Sequence, residues 1–227
     1  QTCALPICGK RDTGHYQDDP MYGELAQVTV LGNSPVEQIQ LNEVLASNAA
    51  AAPHEGTFPD TIELYNPGAK AVDLAGVRLT DDAGRPDKYI FPPGSMVPAG
   101  GYLTVYANNP DGTSGLHVGF SLGKDGQSLH LYDTVDRGGV LLDSVTFGLQ
   151  LTDYSVGRVG AEWVLCTPTF GAANEPATAG LPARLLINEI LSAQSVAFPD
   201  DFVEVYNPQA LPVSLGGLFF TDNPINW

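Results

Sequence analysis

The chain has 227 residues, with 26 Asp and Glu against 10 Lys and Arg and a net charge of -16. That length allows one or two domains, and the acidity speaks against direct nucleic-acid binding, since no basic cluster offsets it. Its 25 Gly and 18 Pro indicate frequent turns and disfavour a helical chain. The three cysteines, Cys3, Cys8 and Cys166, form no disulfide framework or zinc spacing. No apolar run approaches the roughly 18 residues that span a bilayer.

The first eight residues have no readable period and read as a remnant foreign to the fold, so they are excluded from fold reasoning. Residues 9–35 are polar and weakly patterned, with one candidate strand at 27–31. Regular strand signals then follow: 38–45, 61–65, 72–74, 77–79, 88–91, 102–106, 117–122, 128–132, 141–147 and 163–165. In 61–65, Ile62 and Leu64 share one face and Glu63 and Tyr65 the other, the period of a strand. Turn chemistry separates the runs, as at Asn66-Pro67-Gly68, Pro92-Pro93-Gly94 and Gly123-Lys124-Asp125-Gly126. This pattern predicts an all-β antiparallel sandwich with one wet and one dry face per strand.

An internal repeat sets the domain organisation. Leu41-Asn42-Glu43-Val44-Leu45 returns as Ile187-Asn188-Glu189-Ile190-Leu191, and Phe58-Pro59-Asp60 as Phe198-Pro199-Asp200. From Glu63 to Asp82, ten of twenty positions recur at an offset of 141. The offset changes from 146 to 140 across the Ala-rich segment 48–57, which marks it as a loop. A period near 140 is too long for a solenoid unit and fits tandem domains. The expected division is a remnant and linker over 1–35, a sandwich over 36–176, a linker over 177–184 and a second copy over 185–227. The second copy is expected to break off at Trp227, leaving Leu191, Val205 and Leu215 less buried than Leu45, Leu64 and Leu74.

The same blocks resemble the lamin tail domain of the bacterial type. The resemblance runs through Leu41-Asn42-Glu43-Val44, Ile62-Glu63-Leu64-Tyr65-Asn66-Pro67, Val72-Asp73-Leu74-Ala75-Gly76 and Leu79-Thr80-Asp81-Asp82. It continues at Phe91-Pro92, Pro98-Ala99-Gly100-Gly101-Tyr102-Leu103, Leu116-His117 with Phe120-Ser121-Leu122, and Asp143-Ser144-Val145-Thr146-Phe147. It closes with Tyr154-Ser155-Val156-Gly157-Arg158 and the block Thr167 to Asn174. Thr61-Ile62 departs from it, standing where the family often has an aromatic. The resemblance implies an immunoglobulin-like β-sandwich, here in tandem, used as an accessory module of secreted or surface proteins beside nucleases, phosphoesterases or spore-coat-type kinases. It implies no catalytic residue.

The reactive side chains carry little chemistry of their own. Asn42-Glu43 could contact a ligand, but bonding to backbone groups at a strand end or corner is the better reading, since polar groups near a core must find partners. Asp81-Asp82, with Asp60 or Asp87, match no calcium loop and suit a turn. His54, His117 and His130 lie far apart in sequence and belong to no zinc or triad motif; His130, between Leu129 and Leu131, is expected to face solvent. Ser144 and Ser155 lack a nucleophile-elbow context. No catalytic, cofactor-binding or metal-ligating residue is therefore assigned, and no cofactor is expected. The expected function is a non-catalytic interaction or spacer module of an extracellular or cell-surface bacterial protein, with a protein or cell-surface partner and no membrane span. The alternative is an accessory domain of a larger extracellular enzyme. A third reading, a nuclear-lamina-like scaffold, would need coiled-coil heptads before the domain, and residues 9–35 have none.

Overall fold

The computed structural model of the chain describes residues 35–110, 112–192, 200–215 and 218–223. The remnant, the candidate strand at 27–31 and the repeat residues Phe198, Pro199 and Gly217 lie outside these. In chain order the strands are β1 Gln40–Leu45, β2 Asp60–Tyr65, β3 Val72–Asp73, β4 Arg78–Thr80, β5 Tyr89–Ile90, β6 Met96–Val97 and β7 Tyr102–Ala107. There follow β8 Gln127–Tyr132, β9 Leu141–Phe147, β10 Ser155–Val159, β11 Glu162–Thr167, β12 Glu175–Pro176, β13 Leu186–Leu191 and β14 Phe202–Tyr206.

Two antiparallel sheets make the sandwich. One has the order β12-β11-β10-β1-β2-β7 and the other β5-β4-β8-β9. Alternation along each strand turns Leu41, Ile62, Leu64 and Val105 of the first sheet toward Leu79, Leu129, Leu131 and Val145 of the second. At roughly 1.5–3 kcal/mol for each fully buried large apolar side chain, this single core is the main source of stability.

The sheets are also tied where β9, the edge strand of the smaller sheet, meets the central strands β1 and β10 of the larger. A register shift between Leu41 and Glu43 interrupts the β1–β2 ladder. There the Leu41 N–H donates to Asp143 Oδ2 of β9 at 2.8 Å. Arg158 of β10 donates through Nε to the Leu41 carbonyl at 3.0 Å and through Nη2 to Asp143 at 2.7 Å. Its guanidinium lies 4.9 Å from the Trp163 ring. The bulge thus frees one backbone unit to bond across the sandwich instead of along it.

Several expected strands differ. The 38–45 run begins as a 3-10 turn at Pro35–Gln38 and becomes a strand only at Gln40. The 117–122 run is not a strand: it makes a single parallel bridge, Tyr106 with His117, and Gly119 at φ 76° turns it away. Val118, Phe120 and Leu122 of that run are nonetheless buried, so the alternation there reflects packing rather than pairing. Gly123 to Gly126 is consequently a turn, with Gly126 N–H bonding the Gly123 carbonyl, but not a hairpin between two strands. Strands β6, β10 and β12 carry too weak an apolar pattern to be read, although β10 sits in the middle of its sheet.

Residues 186–206 repeat the geometry of residues 40–65. The pairs Leu186–Tyr206, Ile187–Val205, Glu189–Glu204, Ile190–Val203 and Leu191–Phe202 match Gln40–Tyr65, Leu41–Leu64, Glu43–Glu63, Val44–Ile62 and Leu45–Thr61. The bulge recurs between Ile187 and Glu189. So do the local bonds. Asn188 donates to Glu204 at 2.6 Å as Asn42 does to Glu63 at 2.8 Å. Asn207 donates to the Leu211 carbonyl as Asn66 does to that of Lys70. Thr221 accepts from the Asn223 N–H as Thr80 does from that of Asp82. Burial differs: Leu45, Leu64 and Leu74 are fully buried, whereas Leu191 and Val205 are half-buried and Leu215 is 60% exposed.

Replacing Asp143 by Ala leaves the Leu41 N–H and the Arg158 guanidinium without their shared acceptor. The expected loss is roughly 1–3 kcal/mol of unfolding free energy, read by urea denaturation of the chain. An unchanged midpoint would show that the edge clamp contributes nothing.

Candidate functional site

The outer face of the six-stranded sheet is not uniformly wet. Antiparallel pairing places Glu43 opposite Glu63, and both carboxylates are fully buried. Their cover is the segment 168–174, which leaves β11 and crosses this face before β12. Glu43 accepts from the Thr169 N–H at 3.1 Å and from the Ser155 hydroxyl. Glu63 accepts from the Gly171 N–H and from Asn42 Nδ2. Asn174 closes the crossing, donating to the Asn42 carbonyl and the Arg158 carbonyl, each at 2.9 Å. Leu45 and Cys166 are buried here too, outside the main core.

The strap needs close approach. A Cβ on Gly157, which pairs with Glu43, would stand 2.8 Å from Asn174 Cγ and 2.8 Å from Cys166 Sγ. This is the mid-strand glycine that a second layer of backbone requires.

Burial acts on the acid groups. It pushes the Glu63 carboxyl up to about 7 from an ordinary 4.5, against the lowering effect of the Gly171 and Asn42 donors and with the Glu43 charge adding to it. Burial also raises Glu43, and burial followed by the Glu43 charge raises the Cys166 thiol. The cysteine is reduced and buried, an environment that makes a thiol inert rather than nucleophilic.

The strap divides the outer face into two shallow grooves. One, of about 340 Å³, lies between Ala51–Pro53, Thr104, Tyr106 and Phe170. The other, of about 350 Å³, is bordered by Gln40, Tyr65, Tyr102 and Asn174. The rings of Tyr65 and Tyr102 stack there at 4.9 Å.

The Ala-rich loop bordering the first groove is firmly held. Asp153, a non-glycine residue at φ 63°, accepts through Oδ1 from the N–H groups of Ala49, Ala50 and Ala51 at 2.7–3.0 Å. These bonds, that of Ala50 first, hold its carboxyl below its ordinary value. Asn48 adds bonds to Ala52 and Pro59. The loop also carries His54, which stacks on Tyr106 at 3.7 Å. His117 leans on the same ring at 5.5 Å and stands 6.1 Å from His54. The fold therefore unites two of the histidines that are far apart in sequence. His54 bonds the Ser114 carbonyl at 2.7 Å and His117 bonds Asn108 Oδ1 at 2.7 Å.

The remaining candidates are occupied by protein donors. Asp81 meets Lys88 and Gln127, Asp82 accepts from the Gly84 N–H within a turn, and Asp60 accepts from the Leu122 N–H. The Ser144 backbone N–H donates to Asp143 Oδ1, and the Ser155 hydroxyl donates to Glu43. His130 is half-exposed beside Tyr132. Among the described residues no group of three His, Cys, Asp or Glu side chains converges as metal ligands would.

The expectation of one wet face per strand is thus corrected for β1 and β2. Their outward residues Glu43, Thr61 and Glu63 are as buried as the core, because the strap forms a second layer above them. Alternation alone could not reveal this. The internal repeat could have, since both glutamates recur as Glu189 and Glu204 and Asn42 as Asn188, while the apolar positions beside them vary.

The two large sheets formed by strands between Gln40 and Pro176 make an immunoglobulin-like antiparallel β-sandwich. The family model of the lamin tail domain matches residues 33–148, and the chain belongs to that family, whose domains are immunoglobulin-like and generally non-catalytic. The match ends before β10, yet β10, β11 and β12 complete the same sheet. No curated protein matches the chain.

Two outcomes follow for the strap. Between about pH 4.5 and 7 folded Glu63 holds more proton than the unfolded chain does, so stability falls as pH rises through that window. The contribution is fully present below pH 4.5 and lost above 7, and spans at most about 3 kcal/mol. Urea midpoints from pH 5 to 8 should decline for the native chain and flatten in Glu63→Gln; identical slopes would refute the assignment. Separately, Gly157→Ala should lower the melting temperature, at a cost of about 1–3 kcal/mol of overpacking.

Proposed function

We propose that the chain is a non-catalytic interaction or spacer segment of a secreted or cell-surface multidomain bacterial protein. Residues 36–176 form one lamin-tail-like domain, 177–184 a linker, and residues from 185 the first strands of a second copy. The observation that carries the reading is the repetition of the β1–β2 hairpin in β13–β14, with the same bulge and the same Asn-to-Glu bond. Tandem copies of a sandwich suit an array that spaces or presents contacts.

The linker is short. Ala177 bonds the Leu165 carbonyl of β11, whereas Gly180 and Leu181 bond Pro212 and Gln209. Glu43, Glu63 and Ser155 are engaged in holding the strap, and His54 and His117 in holding loops, which supports a binding role over a chemical one. The acidic surface keeps such a segment soluble and away from polyanions.

Expressed alone, residues 36–176 should unfold cooperatively and show no hydrolase or nuclease turnover with magnesium, manganese, calcium or zinc. Metal-dependent turnover by that purified segment would overturn the non-catalytic reading. Failure to fold without residues 177–227 would overturn the division into copies.

A further inference from the structure

We propose that the free edge of β7, over Tyr102 to Thr104, is a docking site for an extended peptide that joins the six-stranded sheet as an added strand. The proposal deepens the interaction reading above and rests on it only in that the module works by contact. β7 is the last strand of its sheet. Tyr106 shows which way its backbone points: its N–H donates to the Leu116 carbonyl at 2.8 Å and its carbonyl accepts from the Val118 N–H at 2.9 Å. Both groups face away from β2. Gly101, in the opposite phase, accepts from Asn66 at the end of β2. Backbone direction alternates along a strand, so Thr104 and Tyr102 present their N–H and C=O to the same free side as Tyr106. Among the described residues these four groups meet no hydrogen-bond partner.

The chain already extends this edge by one step. Residues 116–118 pair with Tyr106 in parallel, and the addition stops where Gly115 turns away at φ 103°. A docked strand would continue an interface that the fold itself has begun. The other three edges of the two large sheets are protected in the ways that edges usually are. β12 ends in Pro176, β5 has two residues followed by Pro92-Pro93, and β9 is tied to β1 through Asp143. Tyr102, Leu103 and Thr104 bring no charge, proline or bulge. Leu103 is only half-buried on the core side, and an added strand would cover it.

The two outer grooves adjoin this edge, one at Tyr102 and the other at Thr104 and Tyr106. In strand addition the main chain supplies affinity and such hollows receive alternate side chains. With a net charge of -16, the favoured partner is an extended, β-branched and basic segment.

The test is residue-resolved amide exchange of the full chain, with a blocked peptide of alternating threonine and valine flanked by lysines. Saturating peptide should slow exchange at Tyr102 and Thr104 by at least about tenfold, a 1.4 kcal/mol effect, and leave Val105 unchanged. Thr104→Pro removes an outward N–H without touching the β2 ladder; it should abolish the slowing while the melting temperature holds. Thr104→Val keeps the N–H and should retain it. No slowing with the native chain at millimolar peptide would overturn the proposal while leaving the spacer reading intact. Protein-concentration-dependent slowing at the same residues without peptide would assign the edge to a second copy and would equally overturn it. Should Thr104→Pro not fold, the native pattern and Thr104→Val decide.

Discussion

Two buried carboxylates on neighbouring strands constrain this module more than any other pair of side chains. Glu43 and Glu63 face each other on the outer surface of the sheet, where an ordinary sandwich would meet water. Burying two acids side by side is costly unless donors surround them. The donors here are the backbone N–H groups of Thr169 and Gly171, the Ser155 hydroxyl and the Asn42 amide. Removing the strap would hydrate the acids; removing the acids would leave the N–H groups of Thr169 and Gly171 without their acceptors. The C-terminal third of the unit is thereby coupled to its first two strands, across more than 100 residues of chain.

That coupling shapes the surface. The strap is the shared wall of the two grooves, with Phe170 on one side and Asn174 on the other. Asp153 plays a matching part at the first groove by gathering three backbone N–H groups of the Ala-rich loop. His54 on that loop then fixes the Tyr106 ring at the end of β7. The outer surface is thus set by polar groups spent inward on backbone, while the aromatic rings remain outward at its rim.

Fold class was legible because strand alternation and turn residues agree along most of the unit, as at Ile62 and Leu64 followed by Asn66-Pro67-Gly68. The repeat was legible because its blocks carry the same polar residues in the same order, Glu63 to Asp82 at one offset of 141. Less readable were elements held by tertiary contacts. β10, Ser155-Val156-Gly157-Arg158-Val159, lacks a strong apolar face because its outward side is pressed under the strap and its Arg158 turns to Asp143. Residues 117–122 alternate like a strand but bury their apolar side chains without a ladder. The meeting of His54 and His117 on Tyr106 depends on two loops, and local sequence carries no trace of it.

The strap is held as firmly as a core strand if Glu43 and Glu63 bind it as described. Amide hydrogen exchange of Thr169 and Gly171 measures this directly. If the buried glutamates hold the strap, both amides should exchange only with global unfolding, at rates like those of Ile62 and Val44. Exchange at the rates of an exposed loop, in a chain whose core strands stay protected, would contradict it.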